Sequence, residues 1–490
     1  MSTDEQVTGT TPVAASDEAT TSRHHRVSPI DGGATVNDET TAGEQGSSLI
    51  SRRNLLRAGV VGAAGVGIAG VAGTRGMQAS AAPAYVGPGP KQFVHLVATD
   101  GWVSMPTSAP PVPSYWPDEL APAPYNMYVF GFRNVTGMAD NDVVAQRGQA
   151  QISAPVLSFD QDREVEVHLT NLGLSQRPDL IDGHTLHWHG FNNAIPIFDG
   201  VPEMSASVPI GKTLVYYYRP HDPGTYMYHC HFEDVEHVQM GMTGLIFVRP
   251  RLNFDSHGVQ KTKSVTMADG HTQKTALVRY VFNDPATAYD REFAIFLTEN
   301  VPEDHWRDAH IQISDWSYYK PGFSLFNGRA FPDTIEPSVP DYNPATTKAL
   351  PPANDGSSLE RLRYQPRSAR MDVNAGETVL IRLAHLGSVR HTISVDGIPL
   401  RVIGADASQL VGADGTDNSY VTNAVDCAPG ESRDILFTAP TKEGTYLVYD
   451  RNFMNLSNNG DGGYGGMLTH LVVHPAGTLD PQAIDPQTAV

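Results

Sequence analysis

From residue 85 onward, apolar and polar positions alternate in short runs that Pro and Gly interrupt. In residues 163–171 (REVEVHLTN), Val165, Val167 and Leu169 fall on one face of a predicted strand, and in residues 377–385 (ETVLIRLAH) Val379, Ile381 and Leu383 do the same. Side chains on a strand alternate between its faces, so each run buries one row and exposes the other. Helix-period runs are scarce. The pattern predicts an all-β protein of sandwiched sheets.

Several runs occur twice. HTLHWHG (184–190) matches HTISVDG (391–397), PIGKTLVYYYRPHDPGTYMYHCH (209–231) matches APGESRDILFTAPTKEGTYLVYDR (428–451), and the closing strands GMTGLIFV (241–248) and GMLTHLVV (466–473) follow in register. The duplication predicts tandem Greek-key β-sandwiches over 85–250 and 285–476, a polar connector over 251–284 and a tail over 477–490. Residues 336–358 (EPSVPDYNPATTKALPPANDGSS) read as a surface loop inside the second sandwich. The copies are unequal: His187 faces Ser394, His189 faces Asp396, His229 faces Tyr449, Cys230 faces Asp450 and His231 faces Arg451. Only His184 (as His391) and Met242 (as Met467) keep like counterparts, and these two are expected to be relics, since the thiolate that would fix such a site is missing.

Composition agrees with two domains, because 490 residues with 40% hydrophobic content can fill two cores. The formal net charge of −20, with no sustained basic stretch, excludes a nucleic-acid or anionic-membrane partner. With only Cys230 and Cys427, a disulfide framework is excluded. Residues 1–49 are polar and cannot bury enough apolar surface to order themselves, which predicts a disordered head. Residues 51–73 (SRRNLLRAGVVGAAGVGIAGVAG), followed by ASA at 79–81, resemble a bacterial twin-arginine export signal. Residues 1–84 are thus expected to be a head plus signal peptide, and the mature protein to work as a secreted or extracytoplasmic, cofactor-loaded protein. No other segment is long and apolar enough to span a bilayer.

Chemistry concentrates in residues 184–190 and 229–242 (HCHFEDVEHVQMGM). Strand alternation puts His229 and His231 on one side of the chain and Cys230 on the other, and groups His187 with His189. Cys230, His184, His237 and the thioether of Met242 form the thiolate, two-imidazole and weak axial set that suits an electron-transfer copper. His187, His189, His229 and His231 remain as an all-imidazole group on the other side of the same backbone.

HWHG (187–190), DGVP (199–202), PIG (209–211) and HCH…H…M resemble the copper-binding motifs of the multicopper oxidases, the laccase-like family of cupredoxin-fold proteins. The resemblance implies that His184, Cys230, His237 and Met242 hold a type 1 copper. It implies that His187, His189, His229 and His231 are ligands of a type 2/type 3 cluster, where the family reduces oxygen to water. In that family the cluster draws equally on two facing domains, yet here the HxH pattern occurs only in the first. His271, His305, His310, His385, His470 and His474 are scattered singly. Three completions are open: a dimer or trimer pooling first domains across a symmetry interface, a different protein supplying the rest, or a smaller cluster with an open catalytic position. The loop HFEDVE between Cys230 and His237 is expected to be a solvated acidic turn that favours a cationic donor.

The expected activity is one-electron oxidation of a phenolic or metal-ion donor coupled to oxygen reduction. The alternatives are an enzyme resembling copper nitrite reductases, whose catalytic copper lies at a subunit interface, and a non-enzymatic copper-binding electron carrier. His187 stands where nitrite reductases place a catalytic Asp, which weighs against the first alternative.

Overall fold

The structure, a computed structural model, describes residues 91–106, 116–192, 194–339 and 358–484. The expected disordered head and export signal, and most of the 336–358 loop, lie outside the described residues.

Eight strands build the first sandwich: β1 (Gln92–Val103), β2 (Met127–Asn134), β3 (Leu157–Asp160), β4 (Val165–Asn171), β5 (His187–His189), β6 (Thr213–Tyr218), β7 (Gly224–His229) and β8 (Thr243–Arg249). They form two four-stranded sheets, ordered β2-β1-β4-β6 and β3-β8-β7-β5. Val165, Val167 and Leu169, the apolar row of β4, share a core with Trp188, Tyr228 and Ile246 of the facing sheet. β1 runs parallel to β4 and β3 parallel to β8, so the chain crosses between sheets rather than meandering.

Four short strands follow: the hairpin β9 (Thr262–Thr266) and β10 (Gln273–Leu277), then β11 (Arg279–Tyr280) paired with β12 (Ala288–Tyr289). The second sandwich comprises β13 (Arg291–Asn300), β14 (Phe323–Phe326), β15 (Met371–Asn374), β16 (Thr378–His385), β17 (His391–Val395), β18 (Leu400–Ala405), β19 (Ser408–Gln409), β20 (Tyr420–Thr422), β21 (Val425–Cys427), β22 (Ser432–Thr438), β23 (Gly444–Asp450) and β24 (Leu468–His474). Its sheets are seven- and five-stranded, and Val379, Ile381 and Leu383 point into the core between them. The chain's last described residues return to the β9–β12 region, where Arg279 donates to the Gln482 carbonyl at 2.7 Å.

The repeat found in the sequence is reproduced in strand register. His187 pairs with His229 between β5 and β7, and Ser394 pairs with Tyr449 between β17 and β23. His229 pairs with Thr243 and Tyr449 with Leu468 on the other side of β7 and β23.

Apolar and polar contacts join the sandwiches. Met227, Leu245 and Phe247 pack with Phe296, Ala384 and Leu386. Thr225 donates to Asp434 Oδ1 at 2.6 Å, and Ser432 donates to the Thr225 carbonyl at 2.6 Å. Gly224 (φ 142°) makes this approach possible, because a Cβ there would stand 2.9 Å from the Ala407 carbonyl oxygen. Arg382, buried in the same seam, donates to Glu292 at 2.8 Å, so its charge is paired rather than stranded.

Helices are few, as the pattern predicted: α1 (Asp140–Val144), α2 (Asp234–Met240), α3 (Pro302–Ala309) and α4 (Ser358–Arg361). α3 begins with Pro302 at a position where the missing N–H costs nothing and carries Glu303 and Asp304 in its first turn, where they complement the helix dipole. Its buried His305 donates Nδ1–H to the Tyr128 carbonyl of β2 at 2.5 Å, and burial pushes its imidazole down to about 4. Between the ordinary histidine value and that one, the unfolded chain binds the extra proton, so stability falls as pH falls. Lowering pH from 7 to 4.5 is expected to cost the wild-type chain roughly 2–3 kcal/mol more than His305→Gln, read from urea unfolding at the two pH values.

Candidate metal centres

The first centre lies where β7 ends. Cys230 follows the last residue of that strand and is fully buried. His184 is held by a bridge to Val208, its N–H donating to the Val208 carbonyl at 3.2 Å and its carbonyl accepting at 2.8 Å. His237 comes from α2: HFEDVE is solvent-exposed at Glu233 and Asp234, as expected, but its turn runs into a helix at Asp234. Its Glu233 stands at φ 47° before the helix, and Asp234 and Glu236 form the acidic first turn. Gly241 closes the helix at φ 119°; a Cβ there would lie 2.5 Å from Ile152 Cγ2 and 2.9 Å from the Phe130 carbonyl. The reversal returns Met242, whose N–H donates to the His237 carbonyl at 2.9 Å and whose carbonyl accepts from Cys230 N–H at 3.1 Å. Met242 is buried in the same core as Cys230. Met240, two residues away, is buried there too.

Cys230 Sγ stands 3.3 Å from His237 Nδ1 and 3.7 Å from His184 Nδ1. A first-row cation bound to one sulfur and two imidazole nitrogens separates such donors by about 3.6 Å, so the set fits one ion. The electrostatics point the same way. Burial would raise the Cys230 thiol, but the His237 and His184 imidazoles outweigh it and hold the thiol well below its usual range. Burial would likewise lower His237, yet the Cys230 thiolate and the Asp182 carboxylate raise it to about 10. The pocket therefore stabilises positive charge beside a thiolate. Thr185 N–H points at Cys230 Sγ from 3.4 Å, and the rings of Phe130 and Phe232 pack around His237.

The second centre is the imidazole group. The β5–β7 pairing sets His187 beside His229, and ring centroids of His187, His189, His229 and His231 approach to 5.0–5.3 Å. One nitrogen each from His187, His189 and His229 lies within 4.8 Å of the other two. His231 adds its ring to the group but not to that three-donor convergence. Outer hydrogen bonds orient the rings: His187 Nδ1–H donates to the Asp199 carbonyl at 2.6 Å and His229 Nδ1–H to the Cys230 carbonyl at 2.7 Å, leaving the Nε2 lone pairs inward. Burial, reinforced by the neighbouring imidazoles, lowers His189 to about 4 and His229 to about 3. Both imidazoles are therefore neutral at ordinary pH.

His187 and His189 of this group open into a cleft of about 450 Å³, lined also by Asp199 and Tyr226 from the first sandwich and by Asp406 and Gly430 from the second. Gly430 hydrogen-bonds His189 through its backbone. Among the described residues no histidine of the second sandwich lines the cleft. The departure noted in the sequence thus holds in space.

His385 and His391, scattered in the sequence, meet in the second sandwich: their rings lie 4.9 Å apart, and both contact Glu299 in a fully buried group that also holds Asp450, at the position of the missing thiolate. Sequence spacing gave no sign of this group, because its members come from four strands. Met467 is buried in the core of its sandwich.

Comparisons with known proteins agree with the geometry. Two family models described as multicopper oxidase match, one over residues 135–253 and one over 311–470. Laccase 1 of Metarhizium robertsii is 24% identical over 220 residues, covering 42% of this chain and 32% of the relative. Laccase ustL of Ustilaginoidea virens is 37% identical over 100 residues, 20% of this chain and 14% of the relative. The chain thus spans about a third or less of the length of the curated relatives it matches. Among solved structures, a blue copper oxidase from Nitrosomonas europaea superposes with a TM-score of 0.50 at 17% identity, covering 82% of this chain and 93% of that one. The multicopper oxidase mgLAC gives 0.50 at 17% identity over 81% and 88%. These likenesses establish the fold.

Because Gly241 has both a positive φ and no room for a methyl group, Gly241→Ala is expected to cost at least about 2 kcal/mol in urea unfolding. Gly211→Ala, at φ 73° but with nothing within 4 Å, is expected to cost about 1 kcal/mol.

Proposed function

The chain belongs to the multicopper oxidase family, and from that premise we propose that it is a copper-dependent oxidase. It takes electrons singly from a phenolic or metal-ion donor at the Cys230 centre and delivers them to oxygen at the imidazole group. The observation that carries this reading is the single strand end that presents Cys230 to His184 and His237 on one side and His229 to His187 and His189 on the other. His184, Cys230 and His237, with Met242 as weak neighbour, would hold one copper; His187, His189 and His229, with His231 beside them, would hold the type 2/type 3-like copper. Bound copper supplies a one-electron redox couple at each centre.

The protein's share is positioning and electrostatics. Thr185 N–H and the two imidazoles hold Cys230 as a thiolate, and buried aromatic rings keep water from it. Asp182, Glu233, Asp234 and Glu236 surround the His237 edge and favour a cationic or neutral donor over an anionic one. Oxygen reduction to water consumes one proton per electron. Asp199 and Asp406 are the carboxylates that line the cleft and are placed to pass protons inward.

Among the described residues the second sandwich adds no imidazole to the cleft, which supports completion of the oxygen site by a second copy of this chain, in a dimer or trimer that brings a like face to it. The resemblance of residues 51–81 to a twin-arginine export signal supports a site of action outside the cytoplasm. A second reading, an electron carrier without oxygen chemistry, draws on the same shortage of imidazoles.

Copper analysis with oxygen uptake separates the two. The oxidase is expected to hold more than one copper per chain and to consume oxygen with a phenol. Cys230→Ser should remove the blue absorption and lower turnover at least ~100-fold, whereas His187→Ala should keep the colour and lose oxygen uptake. One copper per chain, intense blue colour and no oxygen uptake would establish the carrier instead.

A further inference from the structure

The second sandwich carries a different donor set where the first carries Cys230. β17 begins with His391 at the place of His184, and β23 ends with Asp450 at the place of Cys230. Glu299 of β13 and His385 of β16 converge on the same point, and all four side chains are fully buried. His385 Nε2 lies 3.1 Å from Glu299 Oε1, and His391 Nε2 contacts that same oxygen.

The outward atoms of Glu299 and His391 are tied down, whereas His385 Nδ1 is buried with no hydrogen-bond partner among the described residues. Glu299 Oε2 accepts from Ser388 N–H at 2.7 Å and from the Tyr319 hydroxyl at 3.1 Å. His391 Nδ1–H donates to Asp450 Oδ2 at 2.5 Å, and Asp450 accepts in turn from Asn452 N–H at 2.9 Å and Asn455 Nδ2 at 2.7 Å. A carboxylate on the far nitrogen of a ligating histidine is the usual way a metal site fixes ring orientation and tautomer. Oε1 of Glu299 and Nε2 of both histidines are left facing one another, within 4.8 Å. Gly387 permits the backbone to press against the carboxylate, since a Cβ there would fall 2.0 Å from Glu299 Oε2.

We propose that Glu299, His385 and His391 form a buried three-donor binding site for a divalent cation of the zinc class, with Asp450 holding His391 in place. Burying two carboxylates in an apolar core is costly unless cations neutralise them. One dication with two neutral imidazoles brings the group to zero net charge. Two imidazoles and a carboxylate, with no thiolate, suit zinc rather than calcium or magnesium. Binding displaces the protons that bridge Glu299 to the imidazoles and opens the three donors to about 3.3 Å, the separation in a tetrahedral zinc site. The site is independent of copper in the first sandwich.

The full chain carrying Cys230→Ser, His187→Ala and His189→Ala, stripped by chelator and titrated with zinc chloride, tests this. It is expected to bind one equivalent with a micromolar or tighter Kd, and the zinc-edge absorption spectrum should show only nitrogen and oxygen ligands, two of them imidazoles. In that background Glu299→Gln is expected to weaken binding at least ~100-fold and Asp450→Asn about 10–100-fold, each with an unchanged circular dichroism spectrum. Should Glu299→Gln fail to fold, the edge spectrum of the triple variant with Glu299 intact, together with its Asp450→Asn form, decides. No retained zinc, or affinity untouched by Asp450→Asn, would overturn the site and leave a proton-bridged network. Neither result bears on oxygen uptake, so failure here is distinct from failure of the oxidase reading.

Discussion

A buried thiolate is tolerable only beside positive charge, and most of the first sandwich's local architecture follows from that requirement. Cys230 sits at zero exposure, with imidazoles at 3.3 and 3.7 Å and a backbone N–H at 3.4 Å. His237 reaches it only because α2 folds back sharply at Gly241, and the return strand reaches Cys230 only because Met242 bonds both neighbours through its backbone. The same strand end turns His229 the opposite way, so the two centres share a peptide segment. Antiparallel pairing of β5 with β7 then supplies His187 and His189 to the second centre without further elements.

The second sandwich keeps the scaffold and exchanges the chemistry. Its strand register at β17, β23 and β24 repeats that of β5, β7 and β8, yet Asp450 stands for Cys230 and Tyr449 for His229. The carboxylate in the thiolate's place accepts from His391 Nδ1–H, and Glu299 and His385 meet the opposite edge of that ring as a harder carboxylate and imidazole set. The duplication has therefore produced two unlike buried polar centres on one fold. Between the sandwiches, the Thr225–Asp434 and Ser432–Thr225 bonds lock the edge of the cleft that exposes the imidazoles.

What could be read from the sequence was whatever depends on short-range periodicity. The strand rows of β4 and β16, the tandem repeat and its register, and the division of 184–190 and 229–242 into a thiolate set and an imidazole set all follow from period-two alternation within a few residues. Those features were legible because both donor clusters are carried by adjacent segments whose spacing is fixed by the strand itself.

Long-range contact decided the rest. That the HFEDVE turn runs into a helix depends on a Gly241 reversal packed against Ile152 and Phe130, neither of which is near it in sequence. That His231 stands apart from the three-donor convergence is a matter of where the chain goes after leaving β7. Glu299, His385, His391 and Asp450 are separated by up to 151 positions and carry no motif, so only the pairing of β13 with β16 and of β17 with β23 brings them together. The sequence determined which strands and which local ligand sets this chain makes, because alternation is a property of neighbours. The tertiary structure determined which distant charges must share a buried space, because desolvation acts on whatever the sheets enclose.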